Sequence, residues 1–261
     1  MYKKFNKNER PVSKMPVKTI LWIIIVYTLS FLCYLPMLLR RLGVALPDAV
    51  LGTKYLFVIV PALVTAVFLV GEHKLKTDWA GAIKRITLKE CILCLLTVIA
   101  GVFTTSICSF VINTDLFQKN YPSIIPFAAS CIYLFTTALL EEAAWRGYLF
   151  KQMLAANGKF PAAALLAGAA WAVWHIPMWT IRNSLGLKDT ALLLIWTVLV
   201  SLALSAAYGI FGNLLSAAFL HMAFNVFWLA PVLCNEIILS LTLIIFVIYR
   251  KIQKGMKEYT Q

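Results

Sequence analysis

The chain has 261 residues, of which 61% are hydrophobic and 13% charged, and its mean hydropathy is +0.83. An ordinary soluble domain carries about a quarter charged residues, so this composition excludes one and points to a bilayer as the solvent. The net charge of +13 would raise the question of nucleic acid in a soluble protein. Here the basic residues collect between apolar runs, where anionic lipid headgroups account for them, and no nucleic-acid partner is expected.

A helix needs roughly 20 apolar residues to cross a hydrocarbon layer ~30 Å thick. In chain order, the runs that meet this pattern span 18–40, 54–71, 89–113, 123–150, 161–180, 190–210, 213–232 and 234–250. The fold class is therefore all-α: a polytopic membrane protein of about eight transmembrane helices. Residues 1–17 form a basic arm, 18–250 a single transmembrane domain and 251–261 a tail. The first run ends in LLRR without a small-residue cleavage site and reads as a retained helix rather than a signal peptide.

Lys and Arg concentrate in alternate connections: six from Lys3 to Lys18, five from Lys74 to Lys89, three from Arg146 to Lys159 and four from Arg250 to Lys257. This asymmetry predicts a multi-pass protein of the cell membrane with both termini cytoplasmic. The six cysteines (Cys33, Cys91, Cys94, Cys108, Cys131 and Cys234) lie in or beside apolar runs and read as small core residues. The CxxC of Cys91 and Cys94 has no second pair to complete a metal site.

Ionisable groups are costly in hydrocarbon, so those inside the runs carry the functional information. Glu141 and Glu142 lie within the 123–150 run, His175 within 161–180, and His221, with the amide of Asn225, within 213–232. Glu142 and Arg146 are four apart, about 40° round a helix, and suit a salt bridge, whereas Glu141 is about 140° from Arg146 and is the freer base. His221 and Asn225 share one helix face. A turn at Asn157 and Gly158 sets Glu141 and His175 at nearly the same height in an antiparallel hairpin. Ala164, Gly168 and Ala172 form a small-residue stripe for close helix packing. Trp174 and Trp179 read as packing or interfacial residues, and Trp171 as a wall of the site.

Two histidines, a carboxylate and an amide fit peptide hydrolysis: a carboxylate takes a proton from water, a histidine orients it, and His221 with Asn225 stabilises the oxyanion. The same groups could instead hold zinc through Glu141, His175 and His221. HExxH is absent, as are a serine motif with a partner histidine and a pair of intramembrane aspartates. A proton-coupled transporter is the alternative of a different class, but it predicts a second repeat with matching polar positions, and the first three runs have none. A non-catalytic membrane scaffold or immunity protein is the other.

EEAAWR (Glu141 to Arg146), WAVWH (Trp171 to His175) and HMAFN (His221 to Asn225) resemble the motifs EExxxR, FxxxH and HxxxN/B of the CPBP family, which comprises CAAX prenyl proteases and bacteriocin-processing Abi proteins. Order and spacing agree over about 120–232. Trp171 stands where the family pattern has Phe, a change expected to alter pocket shape and leave the chemistry intact. The resemblance implies an intramembrane protease whose cavity opens to the cytoplasm. Glu141 would be the base assisted by His175, His221 and Asn225 the oxyanion site, and Glu142 and Arg146 its support. It also implies a reaction needing no cofactor, with zinc as the alternative. The substrate would be a membrane-associated peptide or protein, in bacteriocin or peptide maturation or in self-immunity.

Overall fold

The computed structural model describes residues 15–73 and 123–227, with the single positions Leu88 and Ile92. The expected runs at 89–113 and 234–250, most of the basic arm, the tail and the CxxC lie outside the described residues. Among the described residues the fold is all-helical. Three helices are long and apolar enough to cross a membrane, or up to five if each of two bent pairs is one span. The chain is thus a polytopic helical membrane protein, and the described residues do not establish the full count of eight spans.

Two of the expected runs are not straight. Helix α1 (Val17–Leu32) gives way to α2 (Leu35–Arg41) through a 43° bend, with Pro36 in the first turn of α2. A 3-10 segment at Asp48–Tyr55 meets α3 (Val60–Gly71) at 60°, with Pro61 again in the first turn. Proline has no N–H to donate to the preceding turn, which makes it tolerable at a helix start and disruptive further in. Hydropathy reads straight through such breaks because the flanking residues stay apolar.

Helix α4 (Ile124–Ala144) continues through a π-helical stretch at Trp145–Phe150 into α5 (Lys151–Asn157). Gly158 closes it at φ 69°, a left-handed conformation that costs glycine little, and α6 (Phe160–Trp174) returns with Pro161 in its first turn. The hairpin expected at Asn157 and Gly158 is therefore present. A second π-helical turn, Met178–Arg182, follows Pro177 and leads to α7 (Leu187–Phe211). Gly212 at φ 62° then ends α7, and the Asn213 side chain accepts a hydrogen bond from the Leu215 N–H (3.0 Å) to cap α8 (Leu214–Phe227).

Helix α6 packs on α7, and α8 packs on both α4 and α7, while α3 covers the side of α4 and α1 packs on α3. Aromatic rings fill the joints. Trp22 of α1 meets Trp145 edge-on at 5.5 Å, Phe57 stacks on Trp174 at 3.9 Å, and Phe135 of α4 lies 4.5 Å from Phe219 of α8. Hydrogen bonds fasten the cover: Trp22 Nε1 donates to Thr65 Oγ1 (3.1 Å) and Trp174 Nε1 to Ser30 Oγ (2.8 Å), both buried, and the partly buried Tyr27 Oη donates to the Ala170 carbonyl (2.6 Å). With these contacts Trp174 is a core residue and not part of an interfacial belt.

The small-residue stripe on α6 does what its spacing predicts. Ala164, Gly168 and Ala172 are buried, and a Cβ placed on Gly168 would lie 3.0 Å from Cβ and Oγ of Ser201 on α7. Without a hydrophobic drive between helices in lipid, such close contact supplies much of the association energy. Gly168→Val is expected to lower stability by roughly 1–3 kcal/mol through overpacking. Thermal unfolding in detergent checks this, and a melting temperature equal to wild type would contradict the close α6–α7 contact.

Candidate active site

Every residue from Glu141 to Phe150 is buried, although the amino-terminal half of α4 carries exposed apolar side chains such as Ile125, Ile132 and Tyr133. The polar residues of EEAAWR thus sit where this helix reaches the middle of the bundle. Arg146 is 1% exposed and Glu142 fully buried, so their charges have no water to solvate them and need partners. Arg146 Nη1 donates to Glu142 Oε1 at 2.9 Å, the salt bridge expected from i,i+4 spacing.

The same oxygen, Glu142 Oε1, lies 2.9 Å from His221 Nδ1. A carboxylate oxygen accepts, so Nδ1 carries the proton and Nε2 is the nitrogen left to face a reactant. His175 is oriented in the same sense by a backbone carbonyl. Its Nδ1 lies 2.8 Å from the oxygen of Trp171, one turn earlier on α6, and a carbonyl also only accepts. Both imidazoles therefore have their tautomer set by the partner at Nδ1.

Glu141 is partnered differently. Its Oε2 accepts a hydrogen bond from Trp171 Nε1 at 2.9 Å, a neutral donor, while the carboxylate beside it holds an arginine and a histidine. The Trp171 ring also lies 4.6 Å from the Arg146 guanidinium and meets His175 and His221 edge-on at 5.0 and 5.1 Å. The indole therefore touches four of the polar residues as well as forming a wall. Phe has no N–H to give Glu141. Trp179, read as packing or interfacial, is buried and stacks on His175 at 5.3 Å.

The structure thus joins Glu141, Glu142, Arg146, His175 and His221 through Trp171 and the Glu142 carboxylate. Asn225 lies one turn beyond His221 on α8 and is half-buried. One supporting residue was not singled out from sequence: Ser201 of α7, whose Oγ accepts from Arg146 Nη2 at 2.7 Å. Its signal was available. Ser201 and Ser205 are four apart in an otherwise apolar run, and a hydroxyl in lipid turns toward a partner inside the bundle.

The alternative of a zinc site requires Glu141, His175 and His221 to converge. Among the described residues, no group of three or more His, Cys, Asp or Glu side chains is arranged to hold a metal ion.

The fold and this cluster define a helical membrane protein with a polar, tightly paired centre. Residues 123–227 match the sequence profile of type II CAAX prenyl endopeptidases, the Rce1-like proteins. The CAAX prenyl protease 2 of Methanococcus maripaludis is 25% identical over 144 residues, which cover 50% of this chain and 53% of the relative. The chain spans about half the length of the curated relative it matches. Both similarities fall on the stretch that carries the three motifs, so residues 123–227 are similar in sequence to CAAX-type prenyl endopeptidases.

Removing one member of the buried ion cluster leaves the others short of a partner. Arg146→Met is expected to destabilise by about 3–5 kcal/mol, the scale of an orphaned buried charge. The double change Glu142→Met with Arg146→Met should cost clearly less than the two single changes summed. Additive losses in denaturant or thermal unfolding in detergent would contradict the pairing.

Proposed function

We propose that this chain is an intramembrane endopeptidase that hydrolyses a peptide bond of a membrane-associated peptide or protein by glutamate-activated water, without a required metal. The observation that carries the reading is the unequal partnering of two adjacent carboxylates. Glu142 is committed to Arg146 and His221, whereas Glu141 accepts its hydrogen bond from a neutral indole. Neighbouring titratable groups in different environments take different roles, one as support and one as base.

In this mechanism Glu141 removes a proton from water held against His175 Nε2, and the hydroxide attacks the scissile carbonyl. His221 acts in this step as the imidazolium: its Nδ1–H stays on Glu142 and its Nε2–H is donated to the oxyanion, beside the amide of Asn225. Glu141 then passes the proton it took to the departing amine, which breaks the peptide bond and returns the carboxylate. Arg146 keeps Glu142 in place throughout. Eight spans and cytoplasmic termini, inferred from hydropathy and the distribution of Lys and Arg, complete the reading.

The substrate class follows from two sources of support. The relative's name is CAAX prenyl protease 2, and the motifs also resemble Abi proteins, for which the role is bacteriocin or peptide maturation or self-immunity. Both substrates are peptides presented at a membrane. A fluorogenic reporter peptide ending in a CAAX-type sequence, with and without a farnesyl group, separates the two branches.

Glu141→Gln and His221→Ala are each expected to lower turnover of that reporter at least about 100-fold while the protein remains folded in detergent. Wild-type turnover by either would remove the corresponding role. Metal analysis with a chelator control addresses the reaction type. Turnover should survive chelation, and a stoichiometric zinc lost together with activity would overturn the metal-free mechanism.

A further inference from the structure

We propose that Trp171 is a positioning residue for the base: its indole N–H anchors one oxygen of Glu141, leaving the other to take the proton from water. The inference rests on Glu141 being the base and adds a role that the family pattern, with Phe at this position, cannot supply.

Trp171 is fixed from several sides. It is 3% exposed, Arg146 lies over its ring at 4.6 Å, and the two histidines meet its edges or face at 5.0 and 5.1 Å. A ring held this way cannot swing, so its N–H direction is set by its contacts with Arg146, His175 and His221. The N–H points at Glu141 Oε2 at 2.9 Å. The carboxyl torsion of a glutamate is soft, and in a bilayer core it has no water shell to define it. A hydrogen bond to a charged acceptor is strong enough to select one orientation.

The same residue also sets His175, through the 2.8 Å contact between its carbonyl oxygen and Nδ1. One side of Trp171 thus fixes the base and the other fixes the imidazole proposed to hold the water. Any residue at this position has the carbonyl. Among Phe, Tyr and Trp, only Trp carries a donor in the ring itself, and a Tyr hydroxyl would reach further from the backbone.

The test uses the full chain in detergent micelles, labelled with 15N at the tryptophan indole nitrogens. The Trp171 resonance is the one lost in Trp171→Phe, a change that keeps an aromatic ring as in the family pattern. In Glu141→Gln this resonance is expected to shift while that of Trp22, whose N–H is held by Thr65, stays in place. With the farnesylated CAAX-type reporter peptide, Trp171→Phe is expected to lower kcat about tenfold with KM within about twofold, the scale of one charge-assisted hydrogen bond. An unmoved Trp171 resonance in Glu141→Gln overturns the proposal, and so does wild-type kcat in Trp171→Phe when Glu141→Gln is inactive. Wild-type turnover by Glu141→Gln instead overturns the base assignment on which it rests, and the resonance still reports whether the anchor exists.

Discussion

A single oxygen, Glu142 Oε1, receives both Arg146 and His221, and the centre of the bundle is arranged round that requirement. A guanidinium that is 1% exposed has no solvent to turn to. Its stability depends on carboxylate and hydroxyl partners at hydrogen-bond distance, because the desolvation penalty of each ion is several kcal/mol even after relaxation. Glu142 lies on α4, His221 on α8 and Ser201 on α7, so satisfying one arginine fixes three helices relative to each other. Gly168 extends the constraint to α6, since its missing side chain is what lets Ser201 come close. Packing and polar satisfaction are therefore one problem here: widening the α6–α7 contact would draw the hydroxyl away from Arg146.

The second joint is Trp171, and it completes the first without repeating it. Glu142 ties helices through charge, while Trp171 touches Glu141, Arg146, His175 and His221 through one N–H, one ring and one carbonyl. The consequence is a division of labour between adjacent carboxylates. One is committed to two donors that can carry charge, and the other accepts from a neutral one. A base for water must be ionised yet able to accept a proton, and a carboxylate already shared between a guanidinium and an imidazole is poorly suited to that. Placing Arg146 four residues from Glu142 and about 140° from Glu141 is how one helix makes neighbours in sequence unequal in role.

Much of this was legible in the sequence, because membrane solvation makes polar residues conspicuous. Glu141, Glu142, His175, His221 and Asn225 stood out by cost alone, the Glu142–Arg146 pair by spacing, and the hairpin by Asn157, Gly158 and Pro161. What could not be read were directions at helix breaks and hydrogen bonds across helices. Pro36 and Pro61 sit inside apolar runs, and hydropathy has no term for a 43° or 60° bend. Spacing placed His221 and Asn225 on one face but could not show that Nδ1 of His221 is already committed to Glu142. Trp171 was recognised as an aromatic near the site, yet the direction of an indole N–H is a property of packing in three dimensions.

The π-helical stretch explains why the polar segment can be central without leaving α4 unsupported. An α-helix on the surface of a bundle buries one face, and the first half of α4 does so, with Ile125, Ile132 and Tyr133 exposed. From Trp145 the helix widens, and Trp145, Arg146, Tyr148, Leu149 and Phe150 are all buried against different neighbours. Trp145 meets Trp22 of α1, Tyr148 meets Phe68 of α3, and Phe150 meets Phe160 of α6. Arg146 reaches Ser201 of α7 within the same stretch. π-turns interrupt the regular i→i+4 ladder at a cost in backbone hydrogen bonding, and they persist where something else over-determines the geometry. Here the surrounding aromatic contacts supply that determination. They hold Arg146 at a position from which it can neutralise Glu142 while its charge also lies over the ring that steadies Glu141. The widened turn is thus part of the site, because it lets a single arginine serve both carboxylates, one directly and one through Trp171.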